Sequence, residues 1–278
     1  MSIDAHFHCW QLARGDYGWL NPAIEPALAP IYRDVSVNDW RAESAPLGVS
    51  GGVLVQAAPT EAETHFLLAQ ADAHPQVLGV VGWVDWLAAD APARIEALAR
   101  HPRLKGLRPM LQDIADPAWI LQPLLAPALQ AMSDAGLVLD ALVKSAHLPH
   151  LLTLAGRYPD LRLVIDHAAK PDIAAAEWQP WADGMARLAA ETGAMCKLSG
   201  LLTEAGPAPA PAAVRRWAAH VLASFGAARV LWGSDWPVLE LVSTYPLWWR
   251  ETQYLLAGFS AQEQAAILEE NARQIYRL

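Results

Sequence analysis

Asp4-Ala5-His6-Phe7-His8 lies within the first ten residues of the chain, directly after Ile3. Read as a strand, it turns successive side chains to opposite faces. His6 and His8 then point the same way, about 6–7 Å apart along the strand. Two neutral imidazoles so placed can share one metal ion or grip one oxygen of a bound substrate. A strand this early in the chain, carrying two such groups, needs the rest of the sequence to close around it.

The downstream sequence reads as that closure. Residues 9–50 are rich in proline, glycine and aromatics, and Asp16-Tyr17-Gly18-Trp19-Leu20-Asn21-Pro22 reads as a long irregular loop, a feature usually tied to function. Apolar runs at 51–56, 77–84, 104–108, 137–143, 161–166, 194–198 and 229–233 read as buried strands. Helix signals fall between them. Residues 60–74 open with Thr60 and Glu63 as a capping box and stop before Pro75. Residues 91–99, 117–135, 148–158, 178–192 and 211–225 follow, and 260–277 opens with the capping box Ser260/Glu263.

Continuous apolar strands are buried on both faces, the signature of a parallel sheet. Eight strands, most followed by a helix, in about 250 residues fit an α/β fold, a distorted (β/α)8 TIM barrel. An open doubly wound sheet would place a glycine-rich phosphate loop after the first strand. His-Phe-His stands there instead. No repeat or linker interrupts the pattern, and the loose stretch 205–211 is too short to separate domains, so residues 1–278 read as one domain.

Composition narrows the function. The 20 basic and 29 acidic residues leave a formal charge of −9 with no Lys/Arg cluster, which disfavours nucleic acid and anionic membranes as partners. The two cysteines, Cys9 and Cys196, are too few for a disulfide framework. The N-terminus lacks the basic and apolar regions of a signal peptide, and no apolar run reaches the roughly 18 residues of a membrane span. The expected compartment is the cytoplasm and the expected partner a small molecule. Oligomeric state has no signature here. Of the 13 tryptophans most are packing residues, while a few line a site, because indole faces stack on the C–H faces of sugars.

In a barrel the site forms at the C-terminal ends of the strands. The polar residues there are His6 and His8, Gln56, Arg108, His167, Lys197 and Ser199, and Ser234 and Asp235. Lys197 and Ser199 share a face and fit a packing layer deep in the barrel. Lys105 faces away from Arg108 and reads as structural. His65, His74, His101 and His220 fall on helices or their ends and read as surface, while His147 and His150 follow strand five and stay open between a plain loop and a site role. His6, His8, His167 and Asp235 suit either a mononuclear metal or a metal-free acid–base cluster, and spacing does not separate the two. Strand five offers only Asp140 in mid-strand, which argues against a two-metal centre.

These residues occur in a familiar order. Asp4-Ala5-His6-Phe7-His8 is followed by Lys105-Gly106-Leu107-Arg108, Tyr158-Pro159-Asp160-Leu161, Asp166-His167-Ala168-Ala169-Lys170-Pro171, Lys197-Leu198-Ser199-Gly200-Leu201 and Gly233-Ser234-Asp235-Trp236-Pro237. The chain resembles the amidohydrolase superfamily, in the amidohydrolase-2 branch that contains sugar-acid lactonases of the L-fuconolactonase and L-rhamnonolactonase type. The resemblance runs to Asn271-Ala272 and Tyr276. Two places depart from it: Ala168-Ala169 replaces a commoner glycine-containing run, and Pro109 follows Arg108.

The resemblance implies that His6, His8, His167 and Asp235 surround the reacting carbonyl, with one Zn2+ bound there in some members and lactonases working without a tightly held metal. The expected reaction is opening of a neutral sugar-acid lactone, L-fuconolactone by resemblance, to its aldonate. Asp235 is the expected base that activates water, and the histidines stabilise the oxyanion directly or through one dispensable zinc ion. Arg108, Gln112 and Gln56 are expected to orient the substrate, and Trp10, Trp83 and Trp236 to stack on the sugar. A single cation at the strand ends, Arg108, suits a neutral ring better than a dicarboxylate. The alternatives are a zinc-dependent amidohydrolase or decarboxylase on the same fold, and a non-catalytic barrel that binds a sugar acid.

Overall fold

The computed structural model describes residues 1–278. Eight parallel strands follow one another around a barrel in sequence order. They are β1 (Ser2–Phe7), β2 (Val49–Val55), β3 (Val77–Gly82), β4 (Leu104–Leu107), β5 (Val138–Ala141), β6 (Arg162–Ile165), β7 (Met195–Leu198) and β8 (Val230–Trp232). The outer layer holds α1 (Val37–Ser44), α2 (Glu61–Ala73), α3 (Ala91–Ala99), α4 (Ala126–Asp134), α5 (Leu148–Arg157), α6 (Gln179–Glu191), α7 (Arg215–Phe225) and α8 (Tyr245–Leu256). A last helix runs from α9 (Ala261–Ala265) through a π-helical turn to α10 (Asn271–Tyr276). None of these helices is long and apolar enough to cross a membrane.

The seam between β8 and β1 closes beyond the regular strands, at the C-terminal rim. There Asp235 N–H donates to His6 O at 2.8 Å and His8 N–H to Trp236 O at 2.8 Å. The closure is anchored by Asp4, whose buried carboxylate accepts from Ser234 N–H and Oγ, Trp40 Nε1 and Tyr245 OH at 2.6–3.0 Å. Asp4 thus ties β1 to the segment after β8 and to helices α1 and α8.

A bulge in β1 aims the histidines. From Asp4 to Phe7 the strand advances three residues while β2 advances two, Gly52 to Leu54. Ile3 and Ala5 pack in the inner core with Val53, Val55, Val81, Val138, Val164 and Leu231. Plain alternation from Ala5 would turn His6 outward, but the extra residue lets His6 also face inward. Phe7 then returns to the outer layer and stacks on Trp40 with ring centroids 3.9 Å apart. Ala272 and Tyr276 of α10 plug the opposite end of this inner core.

Elsewhere the sequence reading needs adjustment. Residues 9–50 are not wholly irregular: Ser36 and Asp39 form a capping box that starts α1. Residues 117–135 hold two short 3-10 turns before α4, since Pro123 has no N–H to continue a helix. Residues 211–225 likewise begin as a 3-10 turn at Pro211–Val214. Helix α8, with Thr244 as its N-cap, has no counterpart in that reading. Thr60 caps α2 as expected, but Glu63 turns away from it and accepts from Ala57 and Ala58 N–H instead.

Candidate active site

His6 and His8 reach the mouth of the barrel from β1, with their Nε2 atoms 3.2 Å apart. His167 follows β6 on an unusual stretch of backbone. His167, Ala168, Ala169 and Lys170 all have positive φ, from 44 to 59°. This is left-handed conformation, costly for residues with a Cβ, and it swings His167 over the barrel. Gly200, itself at φ +64°, packs so closely beneath that an added Cβ would lie 2.7 Å from the His167 ring. Asp235, at φ 58°, turns its carboxylate into the same space.

The four groups converge on one carboxylate oxygen. Asp235 Oδ1 lies 3.4 Å from His8 Nε2, 3.7 Å from His167 Nε2 and 3.8 Å from His6 Nε2. The far ring nitrogens are pinned by other partners. His8 Nδ1 meets Val55 O at 2.7 Å and His167 Nδ1 meets Ser199 Oγ at 2.9 Å. Burial, reinforced by Lys197, holds His6 well below its usual range and therefore neutral. Burial pushes His167 down to about 4, against the pull of Asp235 and Asp166. Burial opposes ionisation of Asp235, but His167, then His8 and His6 beside it, outweigh it and hold the carboxyl below its usual range. Asp235 is thus ionised at neutral pH, the state a proton acceptor needs.

A second layer of charge lies beneath. Lys197, with no exposed surface, pairs with Asp140 and with Asp166 Oδ1 at 2.9 Å, and hydrogen-bonds His6 Nδ1 at 3.1 Å. Tyr276 OH donates to Asp140 at 2.8 Å. Arg108 reaches Asp166 Oδ2 at 3.2 Å and donates to Gln56 O. Lys197 and Ser199 are therefore not mere packing: each holds a histidine. A second carboxylate, Asp166, lies 3.4 Å from His6 Nδ1.

A cavity of about 320 Å³ opens above the cluster, lined by His8, Arg108, Gln112, His167 and Asp235 among the expected residues. Others expected there are placed elsewhere. Trp10 and Trp236 are fully buried, with their Nε1 atoms on Arg33 O and Glu240. Trp83 does not line the cavity, and its backbone is held by Thr64 Oγ1. Gln56 is buried behind the wall, donating to Arg108 O. The indole that does face the cavity is Trp19, from the long loop, with Nε1 donating to Ala57 O. Met110, Lys170, Thr203, Val238 and Leu241 complete much of the lining. Both lining cations are already paired, Arg108 with Asp166 and Lys170 with Glu204. His147, open between loop and site in the sequence, is buried and bonded to Leu111 O. A larger groove of about 550 Å³ near the start of β6 holds no histidine and lies far from this chemistry.

The donor set suits a single zinc ion. His6, His167 and Asp235 each offer a ligand atom, all within 4.8 Å of one another, and His8 Nε2 stands beside them. The Nδ1 partners of His8 and His167 are the kind of outer support that orients metal-binding imidazoles. A second grouping, His6 with Asp140 and Asp166, has the Lys197 ammonium in its midst, which opposes a further cation.

Known proteins share this architecture. A family model described as Amidohydrolase matches residues 3–278. An L-fucono-1,5-lactonase of Burkholderia ambifaria is 45% identical over 280 residues, covering 99% of this chain and 95% of the relative. An L-fucono-1,5-lactonase of Burkholderia multivorans is 32% identical, covering 100% and 96%. The crystal structure of an amidohydrolase from Burkholderia multivorans with bound zinc superposes with a TM-score of 0.92 at 30% identity, covering 100% and 99%.

Proposed function

The chain belongs to the amidohydrolase family, and from that premise we propose that it is a lactonase that opens a neutral sugar-acid lactone, L-fucono-1,5-lactone first, to the aldonate. Residues 1–278 act as one domain, in the cytoplasm, on a small-molecule substrate. The pairing of both cavity cations carries the choice of substrate. With Arg108 on Asp166 and Lys170 on Glu204, no free positive charge is left for a dicarboxylate. Hydroxyls find Gln112, whose buried Oε1 has no partner, and the C–H face of the ring finds Trp19.

In this reading Asp235 takes a proton from water as the water attacks the lactone carbonyl. His6 lies against the developing oxyanion with His8 behind it, and His167 is held beside Asp235 through Ser199. The ring C–O bond then breaks, and the proton held by Asp235 passes to the departing ring oxygen. A zinc ion held by His6, His8, His167 and Asp235 supplies carbonyl polarisation when bound. A lactone is an activated ester and reacts without it, so zinc is dispensable.

The test is acid release from L-fucono-1,5-lactone and from 2-pyrone-4,6-dicarboxylate, each with and without a chelator. The neutral lactone is expected to react at least roughly a hundredfold more efficiently, about 2.7 kcal/mol in barrier, chelated or not. Preference for the dicarboxylate would end the substrate assignment. Activity lost to the chelator and restored by zinc would end the claim that zinc is dispensable.

A further inference from the structure

The barrel centre holds a cation that this reaction scheme leaves without a task. Lys197 sits on β7 with no exposed surface, bonded to His6 Nδ1 at 3.1 Å. We propose that Lys197 is a positioning residue that holds His6 in the tautomer protonated at Nε2, making the ring an oxyanion donor and a poor metal ligand. The proposal deepens the lactonase reading and rests on it only for its catalytic consequence.

An ammonium group has hydrogens to give and no lone pair with which to accept. His6 Nδ1 is therefore the acceptor, and a neutral ring must then carry its hydrogen on Nε2. That hydrogen faces His8 Nε2 at 3.2 Å. His8 in turn gives its Nδ1 hydrogen to Val55 O at 2.7 Å, a carbonyl that only accepts, so its Nε2 offers a lone pair. The run from Lys197 through His6 and His8 to Val55 is satisfied link by link.

The other tautomer fails at two links. It sets an Nδ1 hydrogen against the Lys197 ammonium and brings two Nε2 lone pairs face to face across 3.2 Å. It gains only longer contacts, Asp166 Oδ1 to Nδ1 at 3.4 Å and Arg108 to Nε2 at 3.4 Å. Arg108 already serves Asp166 Oδ2 and Gln56 O. Asp166 Oδ1 already faces the Lys197 ammonium at 2.9 Å.

A cation between His6 and His8 needs both Nε2 lone pairs. Loading it requires the His6 proton to move to Nδ1, against Lys197. The same ammonium that arms His6 as a donor therefore weakens zinc binding at that position.

The test uses protein labelled with 15N in its histidine rings, with His6→Gln identifying the His6 signals. The wild type is expected to show His6 protonated at Nε2 and bare at Nδ1. Lys197→Met combined with Asp140→Asn removes one charge of each sign from the interior. It is expected to move the proton to Nδ1, raise zinc affinity by calorimetry roughly tenfold or more, and lower kcat of the metal-free protein while KM stays near wild type. Lys197→Arg keeps a donor and is expected to keep the Nε2 proton. A wild-type proton on Nδ1, or an unchanged tautomer in the folded double variant, overturns the proposal. The wild-type spectrum decides even if the double variant does not fold. A wild type with the expected tautomer that opens no lactone refutes the substrate reading alone.

Discussion

Asp235 is the base in the proposed reaction, and three imidazoles lie 3.4–3.8 Å from a single one of its oxygens. Asp235→Asn keeps the shape and hydrogen-bonding reach of the side chain but cannot take a proton from water. Turnover on the lactone is expected to fall at least about 100-fold, the lower end for loss of a general base. Near-normal turnover in a folded variant would remove Asp235 from that role. This residue, with the three histidines, was legible in the sequence because each stands at the end of an apolar strand, where a barrel builds its site. The cavity-facing indole was not legible. Trp10 and Trp19 lie in the same stretch after β1, and only its tertiary path turns Trp19 to the cavity and buries Trp10. Lys197 was misread for a related reason: its position deep in the barrel was visible, but its bond to His6 depends on β7 facing β1 across the interior.

At the scale of elements, the strands announced themselves as continuous apolar runs, since a parallel barrel strand is covered on both faces. Helices α1 and α8 carried readable caps at Ser36/Asp39 and Thr244; α1 lies in a stretch with weak apolar periodicity, whereas α8 buries Tyr245, Trp248, Thr252 and Leu256 at helical spacing and was legible there. The bulge in β1 had no local signal, because it is defined by pairing with β2. The turn after β7 offers a sharper test of how elements set the site. Gly200 combines φ +64° with the His167 ring in the space a Cβ would take, whereas Gly226, at φ +67°, faces open space. Gly200→Ala and Gly226→Ala should each lose about 1–3 kcal/mol of stability to positive-φ strain, measured by urea unfolding. Only Gly200→Ala should also lower kcat/KM, by roughly tenfold or more, because it displaces a ring that must be held to within about an ångström. Equal activity in the two variants would mean that the close packing under His167 does not position it.

For the molecule as a whole, several buried groups make stability depend on pH, and they do not all act in one direction. His167, pushed down to about 4, binds fewer protons folded than unfolded and so adds stability as pH rises from there toward its ordinary value. Glu63 does the reverse. It lies buried under the turn after β2, where it accepts from Ala57 and Ala58 N–H, and burial raises its carboxyl to about 7 despite those bonds. Between its ordinary value of 4.5 and about 7 the folded chain therefore holds a proton that the unfolded chain has released. Its contribution is complete below the lower value and is lost as pH rises through the upper one. Glu63→Gln retains an oxygen for the two N–H groups and carries no proton to lose. The stability of the variant relative to wild type should therefore rise between pH 5 and pH 8 by on the order of 2–3 kcal/mol, since one pKa unit is 1.36 kcal/mol. Comparing the two proteins cancels the opposing histidines and leaves Glu63 alone. Urea midpoints that run parallel over that range would show that Glu63 is ionised in the fold at both ends, and that its two backbone donors outweigh its burial.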